Sequence, residues 1–533
     1  MTISLNEDQS SQKTTSWQAF IHLLKGYVGP GCLSLPWAVS QLGLPLGVTV
    51  VFSVSCWTSV NIWHVVQLKR EYEKTLPPST TTTTTTQQQI TYPDVGAWLY
   101  GNKFGLVLKA MICVQQISVC TVFLSFIGEN LGAAIRNTLG PISHIAVISL
   151  ALPAALALVC LPNLKVLAPV MTLATLTLFG GFAVLGVLIW EQWPDRPQNP
   201  PIQIQDWGQL PLAICAVLYA FEGICLILPI ETSMANKEKF GHVFSAAMTA
   251  SAVIFALVAS LCVMAFGSVS SGSITAFLVE KAEGDDLTLL YAANTLVSVA
   301  VLLTYPLQLF PSYELVGPTI AKYFTSPSTN TTSQSSIEVD NHGHAYIAAN
   351  EEEPQQQQQQ QDSQDEDTLP QSSLNEAPFL DEPEDEEETI QETTTRSNEH
   401  MQQEFNYWHY FGTSYGDTPA VRAGLVMVTY LFAIIIPNVQ LLVSLAGAVS
   451  GSATGLLVPP LLQLANWKRL ERQETLAEET TTDGNFGPWY YQQRRMNCYV
   501  LLFMGTLVLI IGTGASLRDI IRVYMGWDTA TEQ

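Results

Sequence analysis

Two apolar runs in this chain are long enough to cross a bilayer, yet each is interrupted where a crossing helix has to be continuous. The first, residues 17–41, contains Lys25-Gly26-Tyr27-Val28-Gly29-Pro30-Gly31. The second, residues 209–230, contains Phe221-Glu222-Gly223. Glycine loses more backbone entropy on entering a helix than any other residue, and proline removes a donor and clashes with the preceding turn. Three glycines and a proline this close together therefore break the helix. Inside hydrocarbon, broken backbone persists only where it is enclosed by protein or lines a polar cavity. Interrupted spans of this kind mark the binding site of membrane transporters. The expectation is a transporter, with the site at the two breaks.

Composition agrees. Apolar residues make up 48% of the chain and charged residues only 13%, well below the share usual in soluble domains. About eleven apolar runs reach spanning length. They fall at residues 17–41, 44–68, 104–127, 142–161, 165–190, 209–230, 242–266, 287–310, 421–436, 440–464 and 498–515. The predicted fold is an all-α membrane protein. Eighteen of the 23 Lys and Arg residues fall on one side if the N-terminus is cytoplasmic, which is the positive-inside pattern. The opposite side holds Arg136, Arg196, Lys281, Arg518 and Arg522.

The net charge of −23 belongs mostly to one segment. Residues 323–405 hold 20 acidic side chains and a single basic one, Arg396. With the glutamine run 355–361 and few apolar residues, this stretch reads as a disordered cytoplasmic loop. It is either a tolerated insertion or a docking surface for a protein partner. The remaining organisation is a disordered cytoplasmic tail at 1–16, spans one to eight over 17–322, spans nine to eleven over 406–517 and a C-terminal tail at 518–533. A threonine- and glutamine-rich cytoplasmic loop lies at 75–92. The nine cysteines lie in or beside the spans and form no disulfide or metal-ligand spacing. No phosphate loop, nucleophile elbow or zinc motif is present in the sequence, so neither an enzyme nor a cofactor or metal is expected. No nucleic-acid partner is expected either.

The breaks suit a zwitterion. At the first, Gly26, Tyr27, Gly29, Pro30 and Gly31 allow close approach, and the helix restarting near Cys32 presents N–H donors and a positive dipole end to a carboxylate. At the second, carbonyls freed around Ala220, Phe221 and Gly223 suit an ammonium. Glu222 lies deep in a predicted span, where a carboxyl is costly and normally serves an ion or proton pathway. Its alternative is a structural hydrogen bond to broken backbone. His22, one turn before the first break, is the other proton-coupling candidate, or else an interfacial packing residue. Lys25 is expected to snorkel to the surface. Gln115 and Gln116 with Ser118 and Thr121, and Asn294 with Thr304 and Gln308, either line the cavity or hold helices together. Gly447, Gly451 and Gly455, spaced by four, suggest a packing face.

Several of these motifs resemble one family. Ile21-His22-Leu23-Leu24-Lys25-Gly26, then Gly29-Pro30-Gly31 and Leu35-Pro36, resembles the first helix of the amino acid/auxin permease family. The likeness is greatest to its proton-coupled and vacuolar amino acid transporters. Phe221-Glu222-Gly223 with Leu228-Pro229-Ile230-Glu231-Thr232-Ser233-Met234 resembles the sixth helix, and Tyr305-Pro306-Leu307-Gln308-Leu309-Phe310-Pro311 the eighth. Pro437, Ser444-Leu445-Ala446-Gly447-Ala448 and Pro459 resemble the ninth and tenth. The resemblance implies eleven helices in a LeuT-type 5+5 inverted repeat, with helices one and six broken. It implies secondary transport of amino acids, commonly with protons, and gives His22 the position of the proton-coupling histidine.

The leading expectation is proton-coupled transport of small neutral amino acids by alternating access. The alternatives are an amino-acid-sensing scaffold and sodium coupling, for which Ser298 and Thr304 supply hydroxyls. A multi-pass protein of the vacuolar, lysosomal or plasma membrane fits equally well.

Overall fold

The computed structural model describes residues 14–76, 90–160, 164–281, 287–324, 337–339, 345–347, 419–436, 438–478 and 488–525. Apart from one small hairpin, the regular elements among these residues are helices. Eight helices are long and apolar enough to cross a membrane, and the chain is an integral membrane protein.

The first apolar run forms two helices, α1 (Ser16–Tyr27) and α2 (Gly31–Leu42). Thr15 starts α1 through a reciprocal capping box: the Gln18 amide donates to the Thr15 hydroxyl while Gln18 Oε1 accepts from the Thr15 amide at 2.9 Å. Gly43 turns the chain at φ +78°, where a side chain would meet the backbone of Ile202 and Gln203. The long helix α3 (Leu44–Thr75) follows. Then comes α4 (Tyr92–Tyr100), a short helix begun by a Thr91–Asp94 capping box and absent from the sequence reading.

Next is α5 (Asn102–Leu139), three turns longer than its predicted span. It continues because Glu129 and Asn130, which look like a stop signal, find partners in the loop before a later helix. Ser271 donates to Glu129, and Ser273 and Thr275 donate to Asn130 Oδ1. The apolar helices α6 (His144–Val159) and α7 (Leu164–Gln192) complete this part of the bundle.

The second interrupted run also forms two helices, α8 (Leu210–Ala220) and α9 (Ile224–Ser233). After them come α10 (Phe240–Phe266), the short α11 (Ile274–Lys281) and α12 (Leu287–Phe324). Near the C-terminus are α13 (Pro419–Ile435) and α14 (Val439–Ala446). An eleven-residue π-helical segment (Gly447–Leu457) then leads into α15 (Val458–Glu478), and α16 (Pro488–Met525) ends the described chain.

By contacts the chain divides into two units, and nearly all of these helices lie in the unit formed by residues 1–320 and 410–533. Within it α10 packs on α1, α2 and α3, α2 packs on α8, and the π-helical segment packs on α8 and α16. The second unit, residues 321–409, contains an antiparallel hairpin of two three-residue strands, β1 (Ile337–Val339) and β2 (Ala345–Ile347). Most of the acidic 323–405 segment, the 77–89 stretch and residues 1–13 and 526–533 lie outside the described residues, so the expected disorder there is a matter of sequence.

Four of the five basic residues assigned to the minority side gather at one end of the bundle. Arg518 reaches the Gly208 carbonyl, Arg136 pairs with Glu280, and Lys281 shares a surface groove with Pro197, beside Arg196.

Candidate substrate and proton site

Both predicted breaks are real. At the first, α1 ends at Tyr27, Val28 donates back to Leu24 O, and the helix resumes with Cys32 donating to Gly29 O and Leu33 to Pro30 O. Pro30 has no amide proton, and the amides of Gly29 and Gly31 make no backbone hydrogen bond among the described residues. At the second, Phe221 and Glu222 donate to Leu218 O and Tyr219 O. Leu226 donates to Gly223 O, which leaves the carbonyls of Ala220, Phe221 and Glu222 without a backbone donor among the described residues. Donors are thus free at one break and acceptors at the other.

The breaks also face each other. A Cβ on Gly31 would touch Ala220 Cα and the Tyr219 ring, one on Gly223 would overlap the Tyr27 ring at 2.8 Å, and one on Gly26 would meet Leu226 at 3.0 Å. The pairs run in opposite order along the two chains, so the two rods lie antiparallel. At the far end Thr14 bridges to Met234, with Thr14 N–H donating to Ser233 O and Ala235 N–H to Thr14 O. The crevice between the breaks is closed. Tyr27 is buried against Gly223, and its hydroxyl has no partner among the described residues.

The other candidates sit as follows. Pro30 is buried and Gly29 has no neighbour within 4 Å of a built Cβ. Phe221 is buried on Phe255 of α10, 5.1 Å between ring centroids, so only its backbone serves the gap. Glu222 lines a cavity of about 20 Å³ together with Thr58 and Ile62 of α3, Leu218, and Gly451 and Gly455 of the π-helical segment. Neither of its carboxyl oxygens has a hydrogen-bond partner among the described residues. The Gln115 side chain of α5 lies near it but outside hydrogen-bonding geometry. His22 is exposed on α1 and is not brought together with Glu222. Lys25, expected to snorkel, is exposed, and its ammonium donates to the Met171 carbonyl of α7 at 3.0 Å.

The polar patches divide by role. Gln308 donates to Gln116 at 2.7 Å and Asn294 to the Asn130 carbonyl at 3.0 Å, so these residues tie helices together. Thr304 bonds within its own helix, whereas the Ser298 hydroxyl is buried with no partner among the described residues. The three spaced glycines do not form one packing face. Gly447 presses on the Cys215 carbonyl, but Gly451 and Gly455 open onto the Glu222 cavity.

Glu222 is not the only acidic residue deep in the bundle. Glu231 is fully buried with Lys69, also fully buried, and accepts from Arg70 at 3.1 Å. Lys69 further donates to Thr232 at 2.7 Å and lies 3.2 Å from Glu73. The predicted spans stopped one residue short of each partner, at positions 68 and 230. The available signal was the opposite charge at those two ends.

Comparison with known sequences settles the family. Residues 12–483 match the family described as transmembrane amino acid transporter protein. This chain belongs to it. The family is one of transporters and not of enzymes. Among its relatives, vacuolar amino acid transporter 3 of Schizosaccharomyces pombe is 26% identical over 58% of this chain and 44% of its own length. Vacuolar amino acid transporter 4 of Saccharomyces cerevisiae is 25% identical over 59% of this chain and 42% of its own. Amino acid transporter AVT3B of Arabidopsis thaliana is 26% identical over 57% of the chain and 71% of its own. The match thus spans less than half the length of the two yeast transporters.

Proposed function

We propose that this chain carries small neutral amino acids across a membrane by alternating access, driven by protons. The observation that carries the reading is the pair of facing breaks: unbonded amides at Gly29 and Gly31 on one rod, unbonded carbonyls at Ala220–Glu222 on the other. A carboxylate suits the first and an ammonium the second. Gly26, Tyr27 and Pro30 shape the first half of the site, and Phe221 and Gly223 the second.

The antiparallel course of the two rods supports a 5+5 inverted repeat, in which they would be the first and sixth of eleven spans. Counted that way, α1 with α2, α8 with α9, and α14 through α15 each make one crossing, and α6 and α13 are short ones. The basic residues favour a cytoplasmic N-terminus. The printed names of the relatives favour a vacuolar-type membrane.

Glu222 is the proton site of choice because its carboxyl is buried without a bonding partner, so its charge responds to whatever the moving helices bring near it. His22 is the second candidate. Protonation at either would change the relative stability of the two facing states, which is what coupling requires. Sodium is the alternative ion, favoured only by the Ser298 hydroxyl, which has no partner among the described residues.

Purified protein in proteoliposomes, given labelled glycine, alanine, serine and proline, should accumulate them when an inward proton gradient is imposed. Glu222→Gln should reduce that gradient-driven uptake at least tenfold. Uptake that ignores the proton gradient but stops when choline replaces sodium would turn the reading to sodium.

A further inference from the structure

The helix α3 carries polar groups that this account leaves unused. Thr58 and Ile62 line the cavity beside Glu222. Asn61, one turn beyond Thr58 and next to Ile62, is fully buried, and neither its amide nitrogen nor its oxygen has a partner among the described residues. His64, one turn further on, is half-buried with Nδ1 unpaired. Proteins rarely leave a buried amide wholly unmet, and ordered water is the usual supplier where protein groups are absent. The cavity beside Glu222, about 20 Å³, has room for one water, with the carboxyl and the Thr58 hydroxyl as partners.

We propose that Asn61 and His64 form the leg of the proton route between Glu222 and the membrane face at which α3 ends. The inference rests on the reading of Glu222 as the proton site. The proton leaves a Glu222 carboxyl oxygen for the cavity water, the cavity water passes one of its own protons to water held by Asn61, and that water gives one of its own to the lone pair of His64 Nδ1, so both waters end neutral. A carboxylate and an imidazolium result, and the imidazolium then releases its Nε2 proton towards the end of α3. Asn61 is a positioning residue here, since it orients water and does not change its own charge. Residues three apart on a helix have Cβ atoms about 5–6 Å apart, a gap that one water bridges.

Around Glu222 the groups facing this route are Tyr219 and Cys225 of its own rod and Gln115 of α5, while the π-helical segment contributes only glycines to the cavity. Facing His64 is Arg494 of α16, with Cys498 one turn beyond. Past His64, the end of α3 carries the charged cluster of Lys69, Arg70 and Glu73 with Glu231.

The test compares gradient-driven uptake of labelled glycine, alanine, serine and proline with their exchange at equal pH, in proteoliposomes holding the full chain. Asn61→Leu should lower the ratio of driven uptake to exchange at least tenfold. Asn61→Ser, which still binds water and guards against misfolding of the leucine variant, should keep at least half of it. His64→Gln should shift the pH profile of uptake by a unit or more when pH is varied on the α3-end side. If Glu222→Gln abolishes coupling while Asn61→Leu and His64→Gln keep the parent ratio and profile, this leg is wrong and the reading of Glu222 stands. If Glu222→Gln leaves coupling intact, that reading fails first. Loss of driven uptake and exchange in equal measure in Asn61→Leu would also overturn the proposal, since it would make Asn61 merely structural.

Discussion

Glu222 and Glu231 lie nine residues apart on the same interrupted rod and are both withdrawn from water, yet their surroundings are opposite. Glu231 is saturated: Lys69 and Arg70 pair with it, and Lys69 also holds Thr232 and Glu73. Glu222 has no hydrogen bond to either oxygen among the described residues. A carboxylate fixed between two cations anchors α9 to α3. One left without partners is free to change charge when its neighbours move. On the proposed reading, what marks Glu222 as the proton site is not burial, which Glu231 shares, but oxygens with nothing bonded to them among the described residues.

The largest effect that would break this contrast is on stability. Glu231→Ala leaves the buried Lys69 ammonium with only the part-exposed Glu73 and the Thr232 hydroxyl, and removing one partner of a buried pair costs about 3–5 kcal/mol, with Glu73 holding the loss towards the lower end. Thermal unfolding in detergent should fall sharply, and the double change Lys69→Met with Glu231→Leu should recover much of the loss. Glu222→Gln should leave the melting temperature within a few degrees of the parent while gradient-driven uptake collapses. If the two variants melted alike, the division into anchor and titrating group would be wrong.

A second effect, intermediate in size, bears on the gap itself. Gly223→Ala puts a methyl group 2.8 Å from the Tyr27 ring, with Tyr27 buried and unable to swing freely. A forced overlap in a packed site typically costs about 1–3 kcal/mol. Amino acid uptake should fall about tenfold, and Tyr27→Ala in the same chain should restore part of it. Gly186→Ala in α7, with nothing within 4 Å, is the control and should transport as the parent does. Equal loss in both alanine variants would mean that the breaks do not meet as described.

Much of this was legible in the sequence because glycine and proline act locally. The Gly26–Gly31 cluster, with three glycines and Pro30, carries its break in its own residues, whereas Phe221–Gly223 has a single glycine and is a weaker signal of the same kind; both breaks fall where expected. What depends on distant partners was not legible. The sequence gives no sign that Glu129 and Asn130 are met by Ser271, Ser273 and Thr275, more than 130 residues away, so α5 was drawn short. The π-helical winding at Gly447–Leu457 likewise left no mark in the spacing, and two glycines read as packing positions turned out to line a cavity. Asn61 carries no signal in the sequence, because one amide in an apolar run is ordinary and only the structure shows it without a partner among the described residues.

The smallest effect sharpens the comparison from within the saturated cluster. Arg70 bonds the same carboxylate as Lys69, but its side chain is 30% exposed whereas that of Lys69 is 0%. Solvent screens a partly exposed cation, so Arg70→Gln should cost only about 0.5–1 kcal/mol, and less at high salt. Lys69→Met should cost several times more, because it leaves the buried Glu231 with only a half-solvated partner. The two variants, melted side by side at low and high salt, separate what burial contributes from what charge count contributes. If Arg70→Gln and Lys69→Met proved equal, Glu231 would be held by the number of cations around it. Glu222 would then differ from it in lacking cations, and the absence of hydrogen bonds to its oxygens would no longer be the deciding feature.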